Sequence, residues 1–240
     1  MTVLLLNFSA PLQAWGDSSR FNYRDTRREP TKSGIIGLLA AAQGRSRSAD
    51  LADLAGLTVG VRIDQAGQIL EDFQTEKDWR TGKAKALTWR YYLADARFLV
   101  AIEGDKDFLT GLSENIATPK YPLFLGRRSC PPASKLVIGL TDQTLDEALN
   151  SHPWLAAKWY RRRQPKKLQL AISQDCPVSE TPDEFVRDLP VRFTQRARQH
   201  ELRPVRHRFT WIDNPDGVGN DDHNNHDPFA LIGGDSSCTI

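Results

Sequence analysis

The chain has 240 residues, 40% of them hydrophobic, which suits one or two domains around a real core and excludes a small disulfide-stapled module. No run approaches the ~18 consecutive apolar residues of a membrane span, and Met1-Thr2-Val3-Leu4-Leu5-Leu6-Asn7 has no basic stretch before its apolar run, so neither an anchor nor an export signal is expected. The net charge of +2 is uneven: residues 213–240 hold six Asp and no Lys or Arg, which leaves +8 on the first 212 residues. With its arginine-rich clusters, that asymmetry is the footprint of a phosphate-binding surface; a solvated surface with local ion pairs is the plainer reading.

Val3 to Phe8 is a leucine-rich run stopped by Ser9-Ala10-Pro11 and reads as a buried strand. After a loop, Thr31 stands before Lys32-Ser33-Gly34-Ile35-Ile36-Gly37-Leu38-Leu39 and a run of alanines that ends at Gly44, the pattern of a capped helix with a glycine stop. Leu57 to Asp64 alternates through Val59, Val61 and Ile63 as a half-buried strand. Ile69 to Phe73 is expected to pair with it across Gln65-Ala66-Gly67 as a hairpin.

Between Thr75 and Trp89 the apolar signal gives way to Lys77, Arg80, Lys83 and Lys85 around Gly82, so this stretch is read as an insertion, hairpin or loop, that projects from the core. Tyr91 to Ile102 returns to strand composition, Asp107 to Ala117 spaces Phe108, Leu109, Leu112 and Ile116 as a helix, and Leu136 to Leu140 is strand-like. Leaving out the Ile69 strand and the insertion, the order is β-α-β-β-α-β, that of the ferredoxin-like split βαβ arrangement used by many RNA-binding domains. Beyond Asp142 a short helix near Leu145 to Asn150, a basic stretch from Lys158 to Lys167, and strands at Leu168 to Ser173, Val191 to Thr194 and Val205 to Ile212 form a β-rich extension. The expected fold class is thus α+β. A ferredoxin-like domain covers residues 1–140 with its insertion at 75–89, and a β-rich C-terminal extension with an acidic tail covers 141–240.

His223 and His226 suit zinc or manganese by donor type, but the Asn, Gly and Pro around them mark a loop without preorganised geometry, and an acidic tail is the simpler reading. Asp213-Asn214-Pro215-Asp216-Gly217 puts Pro and Gly where a calcium loop needs oxygen donors, so no metal and no cofactor are assigned. Cys130, Cys176 and Cys238 are far apart with no C-x-x-C and fit reduced thiols in a cytoplasm; Cys130 reads as a buried structural thiol. His152, His200 or His207 with Tyr91, Tyr92 or Lys32 would be the acid and base of metal-free RNA cleavage, yet nothing in the spacing connects them.

Anion-binding chemistry is more visible. Thr31, Lys32, Ser33 and Gly34 place a lysine, two hydroxyls and open backbone N–H groups at a helix start, where a phosphate is expected to approach; an ordinary capped helix is the alternative. Gly126-Arg127-Arg128-Ser129-Cys130-Pro131-Pro132 sets two guanidiniums on a turn as a phosphate clamp. Trp79, Trp89, Tyr91 and Tyr92 interleave with Lys77, Arg80, Lys83, Lys85 and Arg90, the mixture of stacking surface and cation that single-stranded RNA prefers.

Four segments in order carry a resemblance: Pro11-Leu12-Gln13-Ala14-Trp15-Gly16; Pro30-Thr31-Lys32-Ser33-Gly34 with Gly37-Leu38-Leu39; Trp89-Arg90-Tyr91-Tyr92-Leu93-Ala94-Asp95-Ala96; and Tyr121 with Leu125-Gly126-Arg127-Arg128-Ser129-Cys130-Pro131. Together, over about Leu4 to Pro132, they resemble the fifth Cas protein family of the RAMP superfamily, in the branch that serves the type I-E CRISPR Cascade complex. The resemblance implies a RAMP-type, non-catalytic RNA-binding subunit that caps the 5′ handle of the CRISPR RNA in an antiviral ribonucleoprotein. Its inserted thumb hairpin would reach toward the neighbouring backbone subunit. Its partners would be that handle, the backbone and large subunits of Cascade, and target DNA indirectly through the complex, with no membrane. In the type I-C branch the corresponding subunit is a metal-independent endoribonuclease that processes repeat RNA, which is the alternative activity.

The RNA-binding residues that follow are Gln13, Trp15 and Gly16; Arg20 and Arg24; Thr31, Lys32, Ser33 and Gly34; Arg80, Lys83, Lys85 and Arg90; and Gly126, Arg127, Arg128, Ser129 and Cys130. The acidic end is expected either to solvate the C-terminus or contact another subunit, or to screen the cationic groove of the free subunit.

Overall fold

A computed structural model describes residues 1–16, 22–194 and 198–218; Arg20 and the aspartate-rich end beyond Val218 lie outside the described residues. In chain order the elements are β1 (Thr2–Ser9), β2 (Leu12–Gln13), β3 (Tyr23–Arg24), α1 (Lys32–Gln43), α2 (Ala52–Ala55), β4 (Thr58–Gln65), β5 (Gln68–Gln74), β6 (Thr88–Ala94) and β7 (Arg97–Gly104). They continue with α3 (Lys106–Ala117), β8 (Val137–Thr141), α4 (Leu145–Ser151), α5 (Lys158–Arg161), β9 (Lys167–Asp175), β10 (Glu184–Phe193) and β11 (Arg198–Asp213). The fold is α+β and dominated by its sheets. Seven strands run β10-β11-β9-β4-β7-β1-β8, and in a smaller sheet β6 pairs with β2, β3 and β5.

β1 lacks a polar face because its alternating side chains enter two cores. Leu4, Leu6 and Phe8 join Phe98, Val100 and Ile102 of β7 beneath Ile35, Ile36 and Leu39 of α1 and Leu109, Leu112 and Ile116 of α3. Val3 and Leu5 join Leu99 and Ala101 beneath Leu145, Ala148 and Leu149 of α4. The caps of α1 are those the sequence predicts: the Thr31 hydroxyl accepts the Gly34 N–H, and Gly44 closes the helix at φ 76°.

Two strand expectations are corrected. β5 does not pair with β4, whose edges are already filled by β7 and β9. It pairs instead with β6, from Gln68↔Ala94 to Gln74↔Thr88, and the predicted insertion is the far end of that hairpin, with Thr88 and Trp89 inside β6. The apolar stretch from Tyr91 to Ile102 is two strands in different sheets, divided at Asp95, which takes a φ of 57°. The C-terminal strands join the same large sheet, since β9 pairs with β4 through Gly60↔Gln174 and Arg62↔Ile172.

Buried charge binds the C-terminal elements to the rest. Arg62 is fully buried, and its guanidinium donates to both Asp64 carboxylate oxygens at 2.6 and 3.0 Å and to the carbonyls of Leu149, His152 and Pro153. A second cluster sits at the start of α1. Lys32 Nζ meets Asp175 at 2.7 Å, Arg203 donates to Asp175 at 2.7 Å and to both oxygens of Asp188 at 2.7 and 2.8 Å, and Asp188 accepts the Lys32 N–H at 2.7 Å. Burial alone would push the Arg203 guanidinium down, but the carboxylates of Asp188 and Asp175 more than offset it and raise it above its ordinary value.

Removing one member of such a cluster leaves a charge without its counter-ion in a dry site. Asp188→Ala is therefore expected to lower unfolding free energy by about 3–5 kcal/mol in denaturant titration. A loss below about 1 kcal/mol, the range of an exposed pair, would mean that the cluster does not hold α1 to the C-terminal strands.

Candidate nucleic-acid interface

The four resembling segments, separated by up to about a hundred residues, meet around the base of the small sheet. β2 lies along β6 through Gln13↔Leu93, and Gln13, fully buried, donates from its amide to the carbonyls of Ala96 and Phe8 at 2.8 and 3.3 Å. Trp15, 1% exposed, stacks on Phe8 at 5.6 Å and donates through Nε1 to Gln13 Oε1 at 3.2 Å. Its carbonyl accepts the Arg27 N–H at 2.7 Å, which ties the 22–30 loop to β2.

The Gly126 turn closes on the same place. A Cβ built at Gly126, whose φ is 89°, would lie 1.7 Å from the Ala14 carbonyl oxygen, so only glycine lets the turn reach β2. Arg127 points inward: its guanidinium donates to the carbonyls of Tyr91, Arg24 and Asp25 at 3.0, 2.6 and 3.3 Å and lies 4.8 Å over the Tyr92 ring. The Tyr92 hydroxyl is 3.4 Å from Ser129 Oγ. Cys130 is buried, its backbone N–H donates to the Arg127 carbonyl, and burial pushes its thiol up.

The structure places several of the expected RNA-binding residues in the framework. Gln13, Trp15, Thr31 and Cys130 are buried, and Arg127 spends its donors on backbone carbonyls. The expected anion site at the start of α1 already holds an anion, the Asp188 carboxylate on the Lys32 N–H, while the Lys32 ammonium faces Asp175. Gly34 makes room for protein, since a Cβ there would sit 2.8 Å from the Trp15 ring.

What remains outside is a compact polar set. Gly16, Arg24, Gly126, Arg128 and Ser129 are exposed, Ser33 is half-buried, and the Arg24 and Arg128 side chains have no acidic partner among the described residues. Arg28 belongs with them and was missed, because nothing local separates it from its neighbours in Arg27-Arg28-Glu29. Tyr23 was missed as well: it stacks on Trp89 at 4.9 Å and 11°, with Phe73 across the hairpin 5.6 Å from the same indole. Arg90 pairs with Glu76 at 2.9 Å, and Arg80, Lys83 and Lys85 stand exposed at the hairpin tip. Beside this face Glu184 accepts from Arg27 at 3.2 Å and approaches His207 Nε2 at 3.1 Å, while burial, only partly offset by Ser173 and nearby cations, raises Glu29 above the usual carboxylate range.

Open cations beside aromatic rings are chemistry suited to a nucleic acid, and comparison supplies the family. The family described as CRISPR-associated protein (Cas_Cas5) matches residues 3–206, and the chain belongs to it. It is 34% identical over 159 residues, 57% of this chain and 70% of the relative, to the CRISPR system Cascade subunit CasD of Escherichia coli (strain K12). Among solved structures it is similar to one described as a Cas protein (TM-score 0.68, 35% identity, 90% of this chain and 97% of that one). A chain of a CRISPR RNA-guided surveillance complex is similar at a TM-score of 0.70 and 26% identity, over 90% and 93%.

The Gly34–Trp15 contact generates a test. Gly34→Val forces a branched side chain into the indole and is expected to cost about 1–3 kcal/mol of stability, read as an earlier thermal midpoint. A variant that melts like the parent while losing RNA affinity would make Gly34 a ligand-facing residue instead.

Proposed function

We propose that this chain is the CRISPR RNA-binding Cas5 subunit of a Cascade-type surveillance complex, a cytoplasmic ribonucleoprotein component that caps the 5′ handle of the guide without cutting it. The observation that carries the reading is the division of labour in the Gly126 turn, where Arg127 locks the backbones of β3 and β6 and so leaves Arg128, Ser129 and Arg24 facing solvent together. Cations held on a rigid frame without acidic partners suit phosphates, and nearby Tyr23 and Trp89 suit unstacked bases. Similarity to the Cascade subunit CasD favours the same role and a non-catalytic one.

The ferredoxin-like reading is supported by the order β8-β1-β7-β4, with α1 after β1 and α3 after β7 on one face of the sheet. The β5–β6 hairpin has the features of a thumb: its tip exposes Trp79, with Arg80 5.0 Å over the ring, beside Lys77, Lys83 and Lys85. Of the groups considered for RNA cleavage, Lys32 is paired with Asp175, the Tyr92 ring lies beneath Arg127, and His207 Nε2 approaches Glu184. No helix among the described residues is long and apolar enough to cross a membrane.

Arg24→Ala with Arg128→Ala is expected to leave the thermal midpoint unchanged, because both side chains are exposed, and to weaken binding of a handle-bearing RNA. The slope of log affinity against log salt should flatten by about 0.7 for each lost phosphate contact to a single strand. Unchanged affinity and slope would remove this face from the handle site.

A further inference from the structure

We propose that the C-terminal strands carry a second contact surface, for a single-stranded polynucleotide, built from α5, the segment after it, and the outer ends of β9 and β11. The basic stretch from Lys158 to Lys167 plays no part in the handle reading, yet it holds six cations in ten residues. Lys158, Arg162, Arg163, Lys166 and Lys167 are exposed; among the described residues only Arg161 of the six forms an ion pair, with Asp216 at 3.4 Å. Asp213 stands opposite Lys167 in the ladder.

Aromatic rings stand among these cations. Trp159 is 50% exposed with the Arg163 guanidinium 5.5 Å from its ring, and Trp211 is 59% exposed with the Lys167 ammonium at 5.6 Å. Phe209, exposed two residues before Trp211, shares its face of β11. A lone surface tryptophan carries no meaning of this kind, but two indoles, each flanked by a cation and left open, present base-stacking faces next to phosphate ligands.

The surface is also fixed in place. Asn214, 1% exposed, donates from its side-chain amide to the carbonyls of Arg161 and Pro165 at 2.8 and 3.1 Å, and its backbone N–H donates to Lys166 at 2.7 Å. These bonds hold the segment after α5 against the end of β11. At 3.3 Å per residue, Lys167 lies about 26 Å along β9 from Asp175, the residue that meets Lys32, so this surface is apart from the start of α1.

An unpaired strand fits better than a duplex, because ring faces reach bases only when those are unstacked. An acidic protein would satisfy the cations but leave the indoles without use. Phosphates and base faces are common to RNA and DNA, so the surface does not distinguish them.

The test uses the full chain and a labelled oligouridylate of about 12 nucleotides, within the span of a single-strand site, beside the matching oligodeoxythymidylate and a duplex. Both single strands should bind and the duplex less tightly. Arg162→Glu with Arg163→Glu should weaken both at unchanged thermal midpoint and flatten the salt slope by about 1.4, for two lost phosphate contacts. Trp211→Ala should cost about 5- to 100-fold in affinity, and photo-crosslinking of 5-iodouridine to the unsubstituted chain should mark Trp159 or Trp211. Unchanged binding in the charge-reversed chain, equal binding of the duplex, or crosslinks at neither tryptophan would each overturn the proposal. The probe lacks a handle, so loss of its binding in this variant, with handle binding intact in Arg24→Ala and Arg128→Ala, would sink the handle reading and leave this one standing.

Discussion

The arrangement of the whole molecule depends on four charges taken out of water together. Lys32, Asp175, Arg203 and Asp188 come from α1, β9, β11 and β10, and each is satisfied only while the others are in place. Desolvation of an ion costs several kcal/mol, and a mutual network offsets it only when the pairing is complete. The cluster is also tied to β4, whose Val59 N–H donates to Asp175 at 2.9 Å. It therefore fixes where α1 begins, and so where the 22–30 loop, which leads from β3 into α1, must end.

The same logic of inward and outward neighbours organises the candidate interface. Arg127 turns in and Arg128 out; Trp15 turns in and Gly16 out; the Arg24 carbonyl receives Arg127 while its side chain stays in solvent. The inward members fit one another: Gly126 leaves room for the Ala14 carbonyl, Gly34 for the Trp15 ring, and Gln13 accepts from Trp15. In the proposed reading, contact with RNA falls to the exposed residues between them.

Much of the fold was legible because it rests on local signals. The run from Val3 to Phe8, the Thr31 and Gly44 caps and the spacing of Leu109, Leu112 and Ile116 each follow from one element's own chemistry. The partner of β5 was not legible, because β4 has no open edge only once β9, more than a hundred residues later, is in place. The role of Lys32 was hidden for the same reason: its carboxylate is 143 residues away. Arg62 and Asp64, two charges on one face of an otherwise apolar strand, were a visible sign of a buried pair that went unread. At the interface, residue types pointed to nucleic acid, but sequence alone could not separate the arginine that holds the backbone from the one beside it.

The claim that the motif residues form the frame and their neighbours the contact face is tested most directly by amine-reactive footprinting of the folded chain, read by mass spectrometry with and without a handle-bearing RNA. Lys32, in its ion pair with Asp175 and 5% exposed, should be unreactive in the free protein and unchanged by RNA, while Lys83 and Lys85 on the hairpin react and become protected. A Lys32 that reacts readily in the free chain and is shielded only when RNA is added would contradict the account.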